Sequence, residues 1–462
     1  MGQNNRRSGY PRGSSQQGNR NAHGTNGRHA GYQLYGGDAH GLYNSGYSTG
    51  GNRSNRSTMI YGKQRKTWPK VVLALAIVLI VIACVWQFAC GGLPFLSASE
   101  QPQDQQQEAT QEQQDDQASA QDLTRSDANG TYQAGLDTSF TITAIGDCTL
   151  GTDSDFDTST NFVTKYNDTS EGYFFQNVAP VLSADDLTIG NFEGTLTESN
   201  DIQQKAFNFK APASYAGILK AGSVEAVNVA NNHSFDYGQQ GFDDTKKNLT
   251  AANITNFGYD RTATYEVNGI KVGLFGICQL DGTDKATTLT QSDIKSLQDE
   301  GCQLIIGMFH WGIEGENVPE SEQVSLAHAA IDAGCDLVIG GHPHVLQGVE
   351  YYKNRYICYS MGNFCFGGNT HPADFDTMMY QQTFTFKDGQ LVMDDATKAQ
   401  VDIIPCSVSS SSSINNYQPT PLTGERGSAV VSKLNGFSKK LSGTPVSFDT
   451  ELDSSGRATV AK

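Results

Sequence analysis

Polar side chains that can bind metal ions follow one predicted strand after another along this sequence. They are two carboxylates, an asparagine and three histidines: Asp147, Glu193, Asn232, His310, His342 and His344. Neutral imidazoles and hard oxygen ligands together suit a pair of divalent ions, and Mn, Fe and Zn fit this mixture equally well. Such a pair polarises a phosphoryl or acyl oxygen and makes hydroxide from bound water near neutral pH. The pattern therefore predicts a divalent-metal site, and His233, directly after Asn232, could donate a proton to a leaving group.

Each of these residues also has an ordinary structural explanation when it is taken singly. Asp147 could cap a helix or stand in a turn, and Glu193 precedes Gly194 as many turn residues do. His310 beside a tryptophan could be a packed core histidine. The hypothesis of one shared polar site therefore rests on the whole set and not on any single member.

Alternating strand-like and helix-like segments must position these side chains. The strand-like segments are apolar and β-branched, and they cover residues 140–145, 187–189, 226–229, 265–267, 271–275, 304–309, 337–339, 355–359, 382–386 and 400–404. The helix-like segments cover residues 174–182, 214–220, 241–249, 294–299, 323–333 and 424–441. Asn268-Gly269 predicts a tight hairpin between two of the strands. The alternation predicts an α/β domain with mixed sheets, in which the carboxyl ends of several strands meet at one site.

An unbroken apolar run from Val71 to Trp86 divides the chain. With the apolar residues after it, this run is long enough to cross a bilayer as a helix over residues 71–92. Basic residues precede it closely and acidic or neutral residues follow it, so the positive-inside rule places the N-terminus in the cytoplasm. We therefore predict a single-pass cell-membrane protein with an extracellular C-terminal domain. Residues 81–84, of sequence VIAC, also resemble a lipoprotein cleavage box, which leaves lipid anchoring as an alternative.

Composition divides the rest of the chain. Residues 1–70 hold eleven Lys and Arg residues against one acidic residue, and their Gly, Asn, Ser and Tyr content predicts a disordered cytoplasmic tail. Residues 93–138 form a Gln-rich, acidic linker. A folded domain is predicted over residues 139–441, followed by a loose tail over residues 442–462. Basic tails beside a membrane span are common for topological reasons, so we do not predict nucleic-acid binding.

Seven of the nine cysteines follow the predicted span. An odd number leaves at least one of them outside any disulfide within the chain. Most are expected to be buried apolar residues in strands. Cys302 and Cys335 each begin a similar apolar strand, so a bridge between them is feasible in an oxidising space if the two strands are neighbours.

Six ordered motifs make the C-terminal part similar to a known family. Between Phe140 and Gly368 they read TAIGDCTLG, IGNFEGTLT, VNVANNHSFDYG, FHWGIEGENVP, AIDAGCDLVIGGHPHV and ICYSMGNFCFGG. They resemble the motifs of the CapA family of capsule (poly-gamma-glutamate) synthesis proteins, with a looser continuation to about Leu441. The fold of that family is similar to that of calcineurin-like metallophosphoesterases. The resemblance therefore implies a layered αββα sandwich outside the membrane.

The resemblance also implies how the predicted ligands divide between two metal ions. The division is Asp147 and His344 for the first ion, Asn232, His310 and His342 for the second, and Glu193 as the bridge between them. His233 would then be the acid beside the leaving group, and Asp236 would orient its ring. Active metallophosphoesterases have D-x-H in the first motif and a bridging Asp, where this chain has Thr149 and Glu193. These two departures leave phosphatase activity open.

Three functions are compatible with the sequence. The resemblance implies biosynthesis or export of a capsule polymer such as poly-gamma-glutamate, together with other membrane proteins of a synthesis or export complex. A surface metal-dependent hydrolase of phosphoester or cell-wall amide bonds is the second, and a non-enzymatic scaffold of a membrane complex is the third. The part of the chain beyond the span is strongly acidic. It would therefore bind an anionic polymer only through metal ions or a local basic patch.

Overall fold

The computed structural model describes residues 135–394 and 400–461. The predicted cytoplasmic tail, the predicted membrane span and almost all of the predicted linker lie outside the described residues. Within the part of the chain that the structure describes, no helix is both long enough and apolar enough to cross a membrane. The described residues form a mixed α/β domain rich in β-sheet, which confirms the prediction of an α/β domain with mixed sheets.

Helices and strands alternate along the domain. The strands are β1 (Thr138–Thr149), β2 (Leu187–Phe192), β3 (Thr195–Leu196), β4 (Lys210–Ala211), β5 (Ala226–Asn228), β6 (Thr255–Phe257), β7 (Ala263–Val267), β8 (Ile270–Cys278), β9 (Leu304–His310), β10 (Leu337–Gly341), β11 (Val349–Tyr352), β12 (Arg355–Cys358), β13 (Asn363–Phe366), β14 (Asp376–Lys387), β15 (Gln390–Leu391), β16 (Val401–Ser407), β17 (Thr420–Pro421) and β18 (Ala458–Thr459). The helices are α1 (Phe162–Asp168), α2 (Glu171–Phe175), α3 (Ala179–Leu182), α4 (Ala216–Ala221), α5 (Gly238–Ala251), α6 (Thr283–Asp299), α7 (Ser321–Ala333) and α8 (Gly424–Ser438).

The larger sheet has β1 near its centre. Its order is β17-β16-β14-β1-β2-β5-β6, and β13, β15 and β18 pair with β1, β14 and β16. β2, β5 and β6 continue the sheet in parallel from β1, whereas β14 lies antiparallel on its other side. All six residues of β2 are buried, as is typical of a parallel strand covered on both faces. The parallel register places Asn191 between Asp147 and Asn228 at the carboxyl edge of the sheet.

The smaller sheet has the order β11-β12-β10-β9-β8-β7. Its four inner strands are parallel, and β7 and β11 are antiparallel at the edges. The predicted hairpin joins β7 and β8, where Asn268 (φ 50°) and Gly269 (φ 82°) adopt the left-handed backbone that such a turn requires. β9 ends at His310, which pairs with Gly341 at the end of β10. This sheet therefore also directs its polar strand ends to one edge.

Three apolar clusters hold the layers together. The first lies between the two sheets and joins Ile142 and Ile189 of the larger sheet to Leu274 and Ile306 of the smaller one. The second packs α1 to α5 against the outer face of the larger sheet. The third packs α6 and α7 against the outer face of the smaller sheet. The layers therefore follow the order helices, larger sheet, smaller sheet, helices.

The helix predicted over residues 174–182 is two short helices in the structure. α2 ends at Phe175, and α3 begins at Ala179 with Pro180 in its first turn. A proline lacks the N–H that a continuous helix needs there, and its ring would clash with the carbonyl of Gln176. The break brings Phe174 and Phe175 into the core beneath the larger sheet.

The predicted bridge between Cys302 and Cys335 is wrong. All seven cysteines among the described residues are buried, and none belongs to a disulfide. The Cys335 thiol donates instead to the carbonyl oxygens of Leu337 and Ile305, at 3.1 and 3.5 Å. Leu337 pairs with Ile306, so Cys335 lies two positions beyond Cys302 along the strands. That offset is about 7 Å along the strand direction alone, which is more than the span a disulfide bridges.

The C-terminal segment predicted to be loose, residues 442–462, packs against the domain in its described part. Val446 and Phe448 are buried, and the backbone of Phe448 exchanges two hydrogen bonds with the side chain of Asn435. β18 adds to the edge of β16. Apolar residues this sparse form no periodic pattern, so composition alone predicts a loose tail there.

Candidate metal centre

Asp147 lies fully buried near the end of β1, against the last residues of β10. Its Oδ1 accepts a hydrogen bond from Asn191 at 2.8 Å, and its Oδ2 accepts one from the backbone N–H of His342 at 3.0 Å. Gly341 makes this approach possible, because a Cβ there would lie 2.4 Å from Oδ1. Burial raises the pKa of Asp147, against the opposing effects of His344 and the two hydrogen bonds. Contacts from both sheets thus fix one carboxylate where the two carboxyl edges meet.

Glu193 is fully buried just after β2, and its carboxylate has no hydrogen-bond partner among the described residues. Neither Oε1 nor Oε2 accepts a hydrogen bond. The Nε2 atoms of three imidazoles surround Oε1: His310 at 3.7 Å, and His233 and His344 at 3.9 Å. Burial raises the pKa of Glu193 well above its usual value, and Asp147 adds to that effect. A buried polar group without a partner costs about 1–3 kcal/mol, so this side chain is arranged for something other than packing.

His310 ends β9 between two asparagines. Its Nε2 lies 2.8 Å from Oδ1 of Asn232, and its Nδ1 lies 3.3 Å from Nδ2 of Asn191. The ring centroid of His342 is 4.7 Å away. Burial lowers the pKa of His310 well below its usual value, and the neighbouring His342 and His344 lower it further. A neutral imidazole keeps a lone pair for a metal ion.

The turn after β10 presents His342 and His344 to the same space. Both have left-handed backbones, with φ of 93° and 57°, a conformation that is uncommon for non-glycine residues. The Nδ1 atom of His342 is buried without a partner, and burial lowers the pKa of this residue to about 3. The Nδ1 atom of His344 lies 2.8 Å from Oδ1 of Asn363, which orients the ring and leaves its Nε2 towards Glu193.

His233 and Asp236 form a closely held pair beside these ligands. The Nδ1 atom of His233 lies 2.8 Å from Oδ2 of Asp236, an oxygen that also accepts from the backbone N–H of Phe209. Lys205 donates to the other carboxylate oxygen at 2.6 Å and to the backbone carbonyl of Asn232 at 2.7 Å. Burial lowers the pKa of His233, against the opposing effect of Asp236. The remaining ring nitrogen, Nε2, therefore faces the carboxylate of Glu193.

The structure brings all eight predicted site residues to one place. The ligand atoms form two groups, the atoms of each group lie within 4.8 Å of one another, and Glu193 belongs to both groups. These groups are Asp147, Glu193 and His344, and Glu193, His310 and His342. Asn232 extends the second group through its contact with His310. The two groups share Glu193, and their other members are residues that the resemblance assigns to the first ion and to the second.

Sequence reasoning missed several residues that hold or extend this site. Asn191 donates to Asp147 and accepts from the side chains of Asn228 and Asn231, so a buried amide network connects β1, β2 and β5. Asn363 holds His344, and Lys205 holds Asp236. Glu314 forms a third group with His342 and His344. Asn191, Glu314 and Asn363 lie in motifs already quoted, but their roles appear only when distant loops meet.

The donor atoms suit divalent ions that accept both nitrogen and oxygen. Carboxylate and amide oxygens stand beside neutral imidazoles, as Mn, Fe and Zn sites require. The unpartnered carboxylate of Glu193 and the unpartnered Nδ1 of His342 are the two observations that such an ion would explain. Thr149, two residues after Asp147, is buried with an unpartnered hydroxyl and offers no imidazole. The group around Asp147 therefore offers fewer strong ligands than the group around His310.

Comparison with known proteins identifies relatives of this domain. Residues 141–368 match the family described as bacterial capsule synthesis protein PGA_cap. The chain is 30% identical over 310 residues to the capsule biosynthesis protein CapA of Bacillus anthracis, covering 61% of this chain and 69% of that protein. It is 31% identical over 228 residues to the PGA biosynthesis protein CapA of Bacillus subtilis (strain 168), covering 45% of this chain and 60% of that protein. Each match therefore spans only part of the relative's own length.

Proposed function

The chain belongs to the family of bacterial capsule synthesis proteins, and we propose that it acts in the biosynthesis or export of a capsule polymer such as poly-gamma-glutamate. Two relatives carry the names capsule and PGA biosynthesis protein, which supports a role related to capsule synthesis. The layered domain is, in this proposal, a metallophosphoesterase-like αββα sandwich that serves this role through a divalent-metal centre.

One observation carries the metal centre. The buried carboxylate of Glu193 has no hydrogen-bond partner and lies within 3.9 Å of three imidazole nitrogens. Uncharged imidazoles do not compensate a buried negative charge, whereas a divalent ion between the carboxylate and the imidazoles does. When bound, the ions would supply Lewis acidity to a phosphoryl or acyl oxygen. Asp147 and His344 would hold one ion, and Asn232, His310 and His342 the other.

The proposal places the domain outside the cell membrane. The predicted span over residues 71–92 would anchor it, with the N-terminus in the cytoplasm, beside other membrane proteins of a synthesis or export complex. The apolar run from Val71 to Trp86 and the basic residues before it support this arrangement. Because the chain is acidic overall, metal ions at the centre would be the means by which an anionic polymer is attracted.

A second candidate function is metal-dependent hydrolysis of a phosphoester or cell-wall amide bond, and the pair of His233 and Asp236 favours it. Asp236 holds Nδ1 of the imidazole at 2.8 Å, so Nε2 is fixed in direction towards the centre. A positioned imidazole of this kind can give a proton to a leaving group. A scaffold without catalysis would not need the pair, so the variant His233→Ala separates these two functions.

The first experiment measures metal and polymer together. The His310→Ala/His342→Ala double variant removes two imidazoles from one predicted ion, and it should lose bound Mn, Fe or Zn in elemental analysis. Cells carrying this variant in place of the natural protein should lose surface polymer. The matched control is His371→Ala, because that histidine is exposed and belongs to none of the ligand groups.

The outcomes separate the parts of the proposal. Metal retained at the wild-type level in the double variant would refute the metal centre. Normal surface polymer in cells that express the metal-free variant would refute the capsule role of the centre. Loss of surface polymer in cells that express His233→Ala would favour the hydrolase, if the purified variant also loses hydrolysis of a phosphoester or amide substrate. Full polymer in those cells would favour a binding role.

A further inference from the structure

The loop between β9 and α7 brings a glutamate, Glu314, close to His342 and His344 of the candidate centre. Glu314 lies between two glycines with left-handed backbones, Gly312 (φ 81°) and Gly315 (φ 80°). At Gly312 a side chain would also collide with Gln323, because a Cβ there would lie 2.5 Å from its Oε1. The glycines therefore allow two sharp changes of direction that bring the glutamate back towards the strand ends.

Three hydrogen bonds fix this loop to the turn that carries His342 and His344. The backbone N–H of Gly315 donates to the carbonyl of Pro343 at 2.8 Å, between the two histidines. The side chain of Gln347 donates to the carbonyl of Glu316 at 2.8 Å, and Asn317 donates to the carbonyl of Leu346 at 3.0 Å. The position of Glu314 relative to the two histidines is thus set by the fold.

The carboxylate of Glu314 lies within 4.8 Å of ligand atoms of both His342 and His344. It forms no hydrogen bond or ion pair with any residue that the structure describes. His342 is only 6% exposed, and its Nδ1 atom is buried without a hydrogen-bond partner. Glu314, His342 and His344 are therefore close enough for one metal ion to contact all three residues.

Burial distinguishes this group from the other two. Glu193, His310 and His342 are all buried, and Asp147 and Glu193 are buried beside the partly exposed His344. Glu314 and His344 are both partly exposed, so their group with His342 is the one nearest to solvent. A cation arriving from solution meets this outer group before it meets Glu193.

We propose that Glu314 is a metal ligand, and that Glu314, His342 and His344 form an outer position that captures a divalent cation at the mouth of the centre. This rests on the proposed metal centre and adds a ligand from a loop to those supplied by the strand ends. One carboxylate and two imidazoles suit borderline ions such as Zn, Co, Mn and Fe. The outer position shares both histidines with the inner groups, so a cation held there competes with the inner arrangement or moves on to it.

The test titrates the metal-free, full-length protein with Co²⁺ and records both affinity and the visible d–d absorption of the ion. Glu314→Gln should weaken Co²⁺ binding by about tenfold or more and change the absorption. Glu316→Gln is the matched control, because it removes the same charge from an exposed position of the same loop. Thermal unfolding of the metal-free variants checks that both fold like the natural protein.

Each result decides the proposal. A weaker and spectrally altered site in Glu314→Gln, with Glu316→Gln unchanged, supports the ligand. Wild-type affinity and absorption in Glu314→Gln would overturn it while leaving the metal centre intact. Equal weakening in both variants would mean a general effect of charge and would also overturn it. If the natural protein binds no Co²⁺, the metal centre itself fails, and the outer position fails with it.

Discussion

Glu193 and Glu350 are buried to the same extent, 0% and 1% exposed, but their surroundings differ. Oε1 of Glu350 lies 3.0 Å from Nε2 of His328, and its Oε2 accepts from the Tyr359 hydroxyl at 2.7 Å. Both carboxylate oxygens of Glu350 are therefore satisfied inside the protein. Both oxygens of Glu193 are without a partner among the described residues.

The difference separates a carboxylate that stabilises the fold from one that is kept for function. Burial removes the hydration of either group, and the loss must be offset by new interactions. At Glu350 the protein offsets it with an imidazole and a phenol. At Glu193 the protein supplies only nearby imidazole nitrogens and a second carboxylate, Asp147, which raises the pKa of Glu193 further. The unsatisfied group is thus the stronger indication of a bound ion.

The largest effect is expected at the satisfied glutamate. Glu350→Ala leaves the Tyr359 hydroxyl buried without its acceptor and opens a cavity, so it should lower the free energy of unfolding by about 3–4 kcal/mol. Urea unfolding of the metal-free protein measures the change. Metal affinity should stay within about twofold of the natural value, because Glu350 belongs to no ligand group. A decrease in the free energy of unfolding below about 1 kcal/mol would contradict the view that Glu350 stabilises the fold and differs in this from Glu193.

The reverse pattern is expected at the unsatisfied glutamate. Glu193→Gln removes the charge that would bridge two ions, so metal affinity should fall by about 100-fold, or about 2.7 kcal/mol. Competition with a coloured chelator measures the affinity. The metal-free variant should unfold at the same urea concentration as the natural protein or higher, because the substitution removes a carboxyl group whose ionisation is disfavoured by burial and by Asp147. Unchanged metal content would contradict the bridging role.

A half-buried glutamate far from the centre should show the smallest effect. Burial raises the pKa of Glu225 to about 7, while a hydrogen bond from the Thr188 N–H opposes the rise. Because this pKa is higher in the folded state, the stability that Glu225 contributes is fully present below its unfolded pKa and is lost as pH rises through about 7.

Glu225→Gln should therefore stabilise the protein at pH 8 by about 1 kcal/mol, allowing for solvent screening, and should have little effect near pH 4. Urea unfolding between pH 4 and pH 8 gives the profile. An equal gain at both ends of that range would show that the carboxyl group does not titrate as proposed. The size of the effect at Glu350, Glu193 and Glu225 would then no longer follow from how each carboxylate is buried and hydrogen-bonded.

The strand ends could be predicted from the sequence because local signals mark them. Short apolar, β-branched runs that stop at a polar residue identify the carboxyl edge of a parallel sheet, and that edge gathers the residues that follow. The predicted bounds are less exact: β1 continues two residues beyond Asp147, and β9 includes His310 as its last residue. The broken helix at Pro180 shows how a short apolar stretch can hide a change of direction.

The supporting residues could not be predicted, because their roles depend on contacts between loops far apart in sequence. Asn363 meets His344 only because β13 pairs with β1, and Glu314 meets it only because Gly315 bonds to Pro343. The same reason explains the incorrect disulfide. Two similar strands suggested that Cys302 and Cys335 are level, and only the observed register shows the offset between them.

The length of β1 sets the distance between the start of the folded domain and Asp147 of the metal centre. The chain enters this strand at Thr138 and reaches Asp147 nine residues later, about 30 Å away at the usual rise of an extended strand. The chain therefore enters the domain at the amino end of β1, whereas Asp147 and the other ligands lie at the carboxyl ends of the strands. A partner that contacts the domain close to Thr138 would leave the metal centre free for a polymer.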